Sequence, residues 1–416
     1  MTNKNIFLLS LLIAFAGCKQ VEKQPVKEFT PVNIGEIKIL PIQECNPVTV
    51  PIPKVDSQFN IAEWIADFKY LPLETTDGAY MGQYRKVLFY KDRIYVFDIE
   101  SNLVNIFDMH GKHIRTIGQK SDAPDGLVSL WGFLIDPFQE RVMLYDYFAR
   151  KMVYYTLEGD FLFKRDMPFS SGQSAVALSP NCFILVGGSR LLNKQNGHLG
   201  DLKNYQLYYT DSLLHIKEVA YLNPHPDLGY IHPKCLQPSS TEPLFFSHYF
   251  NHNLYKVTEA GISLAYRLDY SKHTDMFTLE KAMKAPQDSK EGGWDYMHQH
   301  NVTYDLYETP SSLLIKTAAN NFRRSFYTYF DKQSKKSISF PNESVLSFTS
   351  EFIFSSFLGV YKDYIVAYVE AEKLKLLRNL WKKHHRKMDE QIADMIDELY
   401  DDDNAVLVFL KFKPIQ

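Results

Sequence analysis

From Leu103 to Ile114 the chain alternates apolar and polar side chains, breaks at an Asp-x-x-Gly turn, and alternates again: Leu103-Val104-Asn105-Ile106-Phe107-Asp108-Met109-His110-Gly111-Lys112-His113-Ile114. A period of two marks a half-buried strand, so the segment predicts a β-hairpin. Gly111 suits the positive φ of such a turn, and the Asp108 side chain can bond the turn backbone. The design recurs at Met152–Phe161 with Gly159, and at Leu254–Ile262 with Gly261. Weaker copies lie at Gln206–Ser212 and Phe326–Lys332. Five hairpins of one pattern are hard to obtain by chance.

Each hairpin follows a β-rich run at a similar distance upstream: Ile94–Asp98, Val142–Asp146, Phe183–Gly187, Leu244–His248 and Leu313–Thr317. A sixth run, Ile365–Val369, precedes a final strand at Ala405–Phe412. Ile94 to Ile365 is 271 residues in five steps, about 54 each and comparable to the ~40–50 of propeller repeats. Inner strands are expected at Val87–Tyr90, Gly132–Ile135, Ala175–Leu178, Tyr304–Tyr307 and Ile353–Leu358, with the fourth ill-defined near Ser240. Four strands per unit and six units predict an all-β fold, a six-bladed β-propeller. A pair of β-sandwiches competes but leaves the repeat period unexplained. The sixth unit reaches Gln416 without a fourth strand; Ala66–Leu73 can supply it, closing the ring and removing exposed edges.

Residues 371–400 break the strand pattern. Leu374, Leu377, Trp381, His384, Met388, Ile392, Met395 and Leu399 recur at three- and four-residue steps, predicting an amphipathic helical insertion in the last blade. Its first half is basic (Lys373 to Lys387) and its second acidic (Asp389 to Asp403), which opposes the macrodipole of one continuous helix. Either another contact compensates, or a bend near His384-His385 makes two helices. The expected role is packing on the propeller wall; the competing one is docking of the basic half on anionic lipid or a protein.

The N-terminus changes the picture of where the protein resides. Lys4, the apolar stretch Ile6–Ala16 and the ending Phe15-Ala16-Gly17-Cys18 read as a signal peptide over residues 1–18, too short to span a bilayer. The ending resembles the lipobox of bacterial lipoproteins, which implies lipidation of Cys18; Phe15 departs from the usual Leu. Residues 19–60 read as a tether and N-terminal arm, and 61–416 as the propeller. Cys45, Cys182 and Cys235 then remain, without metal-site spacing, and burial as small apolar groups is expected. Lys and Arg number 46 against 49 Asp and Glu, a net charge of −3 that offers no field for nucleic acid.

Between Asn105 and Met167 the residues Ile106-Phe107-Asp108 with Gly111, Ile114 to Ile117 with Gly118, Pro124, Phe133, Ile135-Asp136, Leu144-Tyr145-Asp146 and Leu157 with Gly159 resemble the NHL-related six-bladed propeller lipoproteins of Gram-negative bacteria. The ending Asp402-Asp403-Asn404 before an apolar strand is similar too. In place of that family's Gly-rich loop before Pro124 stands Gln119-Lys120-Ser121-Asp122-Ala123. The resemblance implies a lipid-anchored propeller in the cell envelope, at the outer membrane, and no particular reaction.

Catalytic motifs are missing: no G-x-S-x-G, H-E-x-x-H, Walker loop or G-x-G-x-x-G occurs. His225, Asp227, His232 and Cys235 cluster without the spacing of a metal site, and a Pro-rich loop is expected there. The candidate ligand contacts are Arg85, Trp131, Arg323 and Arg324 near strand starts, and Trp294, His298 and His300 in a loop. Trp and Arg at a channel mouth suit a sugar or an anion. No cofactor or metal is expected. The expected function is binding or scaffolding, with the membrane (through the lipid) and a glycan or protein as partners. The competing reading is a hydrolase or lyase acting on a glycan or lactone, which needs convergent carboxylates or His at the channel mouth. A purely structural protein would instead plug the channel.

Overall fold

The computed structural model describes residues 36–223, 235–237, 242–246, 252–273, 302–319, 324–342 and 353–416. The chain first lays down β1 (Lys38–Ile39), β2 (Ile42–Gln43), β3 (Val48–Pro51) and β4 (Ile65–Pro72). Six four-stranded blades follow. Blade 1 is β5 (Tyr84–Tyr90), β6 (Arg93–Asp98), β7 (Leu103–Asp108) and β8 (His113–Ile117). Blade 2 is β9 (Leu130–Asp136), β10 (Arg141–Asp146), β11 (Lys151–Thr156) and β12 (Phe161–Asp166). Blade 3 is β13 (Ala175–Ser179), β14 (Cys182–Val186), β15 (Tyr205–Thr210) and β16 (Ile216–Leu222), with helix α1 (Arg190–Gln195) between β14 and β15.

Blade 4 is β17 (Leu236–Gln237), β18 (Leu244–Phe246), β19 (Asn253–Thr258) and β20 (Gly261–Asp269). Its inner strand is therefore upstream of Ser240, which lies outside the described residues. Blade 5 is β21 (Val302–Glu308), β22 (Ser312–Ala319), β23 (Arg324–Asp331) and β24 (Lys336–Pro341). Blade 6 is β25 (Ser356–Tyr361), β26 (Tyr364–Val369), β27 (Val406–Phe412) and, as its fourth strand, β4. The expected closure is thus made, with Leu407 opposite Leu71 and Phe409 opposite Lys69.

The core is a stack of layers between blades. Ile106, Leu144 and Val153 fill one such layer, and Met143, Phe183 and Tyr208 the next. Large aromatics with two buried edges suit that geometry, which explains 27 Tyr and 29 Phe in a chain of this size. The predicted turns recur in three dimensions. Gly111, Gly159 and Gly261 have φ of 81°, 90° and 128°, and Leu214 and Lys335 take the left-handed region in the weaker copies. At Gly111 a Cβ would also lie 2.0 Å from the Pro72 carbonyl oxygen.

The insertion between β26 and β27 is two helices, α2 (Ala371–Lys383) and α3 (Glu390–Glu398), with the bend at His384-His385. Leu374, Leu377, Trp381 and Ile396 are buried in one cluster with Ile353, Phe354 and Val369, so the insertion is part of the wall.

Candidate functional site

Antiparallel blades give the ring two faces. First-to-second and third-to-fourth strand turns lie on one, here the hairpin face; the remaining connections, including both helical insertions, lie on the other, the connector face. The inner strands β5, β17, β21 and β25 line an axial cavity of about 370 Å³, within the size range of small-molecule sites. Its hairpin-face rim is Tyr90, Lys91, Tyr361 and Lys362. Lys91 and Lys362 hold the same turn position in blades 1 and 6, both left-handed, with φ of 51° and 53°. The Lys362 ammonium lies 5.1 Å from the Tyr361 ring centre, and Lys91 pairs with Glu140 at 2.6 Å.

The acids near this cavity already have structural partners. Asp305 Oδ2 accepts from the Tyr307 hydroxyl at 2.7 Å, and Oδ1 from the Leu306 N–H at 3.0 Å and Gln237 Nε2 at 3.4 Å. Burial, and then the adjacent Asp305 carboxylate, push the Tyr307 hydroxyl far above its ordinary range, so it remains a donor. Glu308 is 2% exposed; its Oε1 accepts from Lys332 Nζ at 2.7 Å and the Tyr266 hydroxyl at 2.6 Å, while its Oε2 is buried without a partner. Asp136, at the end of inner strand β9, is held by Arg141 Nε at 2.9 Å and by the Phe138 N–H.

Toward the connector face, Arg85 and Trp131 occupy equivalent positions in adjacent blades. Tyr84 pairs with Asp98 and Lys86 with Phe97, which leaves Arg85 as the extra residue of a β-bulge; Leu130 and Gly132 leave Trp131 in the same way. A bulge re-aims the extra side chain. The loops feeding both strands are fixed by carboxylates at the ends of β6 and β10: Asp98 accepts from the Gly82 and Gln83 N–H groups, Asp146 from those of Val128 and Ser129. Gln173, just before β13 of blade 3, completes the group, and Arg85 Nη2 donates to its Oε1 at 3.4 Å. Gly132 permits that approach, because a Cβ there would sit 2.3 Å from the Gln173 carbonyl oxygen.

These residues, with Lys86, Phe97 and Phe133, line a crevice of about 10 Å³, room for a single water-sized atom. Arg85 Nε and Trp131 Nε1 are buried there without an acceptor from the protein. Trp131 stacks on Tyr147 at 4.7 Å, and Tyr147 meets Phe148, which is 70% exposed, edge-on at 5.3 Å. Gln195 of α1 donates to the Tyr147 hydroxyl at 2.6 Å.

Residues 47–411 match the family described as a domain of unknown function, DUF4934. The chain belongs to that family. No curated protein sequence matches it. A candidate exported protein of Bacteroides fragilis has 18% identity and a TM-score of 0.73 to this DUF4934 chain, covering 88% of it and 100% of its own length. A Bacteroides vulgatus member of the DUF4221 family has 9% identity and a TM-score of 0.48, with 84% and 97% covered. The likeness to the Bacteroides fragilis protein carries the propeller fold and nothing about chemistry.

Of the sequence candidates in this DUF4934 chain, the structure brings Arg85 and Trp131 together, and Arg324 opens β23. Cys18, His225, Asp227, His232, Trp294, His298, His300 and Arg323 lie outside the described residues. Cys235 is buried, and burial pushes its thiol and that of Cys182 up to about 12, so neither is a nucleophile; Cys45 is exposed. Among the described residues no three His, Cys, Asp or Glu are placed to hold a metal ion. Lys86, Gln173 and Glu308 escaped sequence reasoning. Only Glu308 left a trace, immediately beyond the inner strand expected at Tyr304–Tyr307.

Proposed function

We propose that this chain is an exported, lipid-anchored binding module of the bacterial cell envelope, taking a glycan or peptide ligand in its axial channel. The carrying observation is the cavity of about 370 Å³ with a rim of Tyr90, Lys91, Tyr361 and Lys362, where Asp305 is committed to structural partners and Glu308 keeps one carboxylate oxygen, Oε2, unpartnered. An aromatic and basic rim without a free catalytic pair suits recognition better than hydrolysis. Export and the anchor at Cys18 are supported by the signal-like residues 1–18 and the resemblance to NHL-related lipoproteins. The Bacteroides fragilis neighbour, a candidate exported protein, agrees with that reading. Attachment to the outer membrane is part of the same proposal.

The test is a thermal-shift screen of residues 19–416 against envelope glycans, peptides and divalent ions. A ligand at 100 times its Kd adds about 2.7 kcal/mol. Val360→Trp, which fills the cavity from β25, should abolish the shift. A shift that survives Val360→Trp, or none with any glycan or peptide, would overturn the channel reading; turnover of a glycan would replace it with the hydrolase. Cys18→Ser should move the expressed protein from the membrane to the soluble fraction, and no movement would remove the anchor.

A further inference from the structure

We infer that the Arg85–Trp131 crevice is a carboxylate subsite, and that the ligand is an acidic glycan that places one oxygen of its uronate group there while its ring lies on the Trp131–Tyr147–Phe148 ledge. The inference goes beyond the channel reading: the crevice shares only Lys86 with the axial cavity lining and lies toward the opposite face. Arg85 and Trp131, from two blades, line one crevice, and their buried Nε and Nε1 N–H groups find no protein acceptor. Leaving buried donors unpaired costs about 1–3 kcal/mol each, so a fold that aims both with matching bulges gains most when an oxygen arrives.

The charge of that oxygen follows from the surroundings. Arg85 supplies a guanidinium to the lining, Lys86 Nζ donates to the Phe133 carbonyl at 3.1 Å, and the carboxylates of Asp98 and Asp146 are turned to loop N–H groups rather than to Arg85. A guanidinium edge beside an indole N–H favours an anionic acceptor over a neutral hydroxyl. The crevice of about 10 Å³ admits one oxygen and excludes the bulk of the ligand. The ring must therefore stay outside, where exposed Phe148 extends the stacked Trp131–Tyr147 pair. Sugar rings present apolar C–H faces to such ledges.

The experiment compares trigalacturonate with its methyl ester, which keeps the rings and loses the charge, using intrinsic fluorescence and calorimetry on residues 19–416. The acid should bind at least about tenfold more tightly than the ester. Arg85→Gln should erase that preference while leaving ester binding in place, and Trp131→Phe should remove the fluorescence response. Equal affinity for acid and ester, or an Arg85→Gln variant that still prefers the acid, would overturn the inference. If Arg85→Gln does not fold, Arg85→Lys keeps the stem and charge but loses the guanidinium edge; an undiminished acid preference there counts equally against it. Should neither trigalacturonide bind while other ligands give shifts that Val360→Trp abolishes, this inference falls and the channel reading stands.

Discussion

One carboxylate position recurs at the end of the third strand. In blade 1 Asp108 Oδ1 accepts from the His110 and Lys112 N–H groups at 2.8 and 2.9 Å; in blade 3 Asp211 does the same for Leu213 and His215. In blade 5 Asp331 accepts from Gln333 and, with its second oxygen, from the Ile415 N–H at 2.8 Å, tying the C-terminal segment to a neighbouring blade. Burial alone would raise all three acids, but the backbone donors outweigh it and hold each below the usual carboxylate range. Groups depressed on folding add stability above their unfolded value of about 3.9, and that stability disappears as pH falls through the lower folded value. The contribution of these three acids should therefore be constant above about pH 5 and be lost as pH falls below about 4. Asp331→Asn should be less stable than wild type at pH 7, with the gap narrowing by pH 3 in urea titrations; a pH-independent gap would refute the assignment.

The helical insertion shows how an element can be legible while its logic is not. Its heptad-like spacing predicts helix, and the basic-to-acidic order conflicts with a single macrodipole. The bend at His385, with φ of 51°, resolves the conflict by making two helices. Lys382 and Lys383 now end α2, and Asp389 caps α3 by accepting from the Gln391 and Ile392 N–H groups. Arg378 and Lys382 both reach Asp397 across the bend, at 3.0 and 3.1 Å, and Lys375 reaches Asp401 at 2.8 Å. Asp397 and Lys382 are exposed and Arg378 only partly buried, so Asp397→Asn should cost less than about 1 kcal/mol and less still in high salt. Trp381→Ala, from the buried face, should cost about 3–5 kcal/mol. Denaturant midpoints at two salt concentrations decide the matter, and a larger cost for Asp397→Asn would reverse the account. The channel was harder to read for a related reason. Strands and turns announce themselves by local period, whereas the crevice joins Arg85, Trp131 and Gln173 from three blades, aimed by two bulges that no period reports. Trp131 and Arg85 were accessible to reasoning because of their residue types; Lys86 and Gln173 are ordinary in sequence and matter only through register.

The ring as a whole is held at one seam and braced along one side. The seam is β4 on β27, reinforced by Asn404, which accepts from the Met81 N–H and donates to the Glu74 and Ala79 carbonyls. The brace is the N-terminal arm. β1 runs parallel to β16, and β2 and β3 run parallel to β20, so the arm covers the outer edges of blades 3 and 4. Because fourth strands start on the hairpin face, β1 also starts there, on the side of Lys91 and Lys362, opposite the Arg85–Trp131 crevice. Seam and brace should fail differently. Removing residues through 53 strips Leu40, Val50 and Ile52, all buried, for a loss on the order of 5 kcal/mol. β4 remains, so the ring still closes and should melt cooperatively, but with two bare edges that promote association. Cutting through residue 72 removes the closing strand and should leave no cooperative transition. Circular dichroism melts with light scattering on the two truncations separate these outcomes: a cooperative melt in the longer deletion would show that β4 is dispensable, and the six blades would then be held by their stacked layers alone.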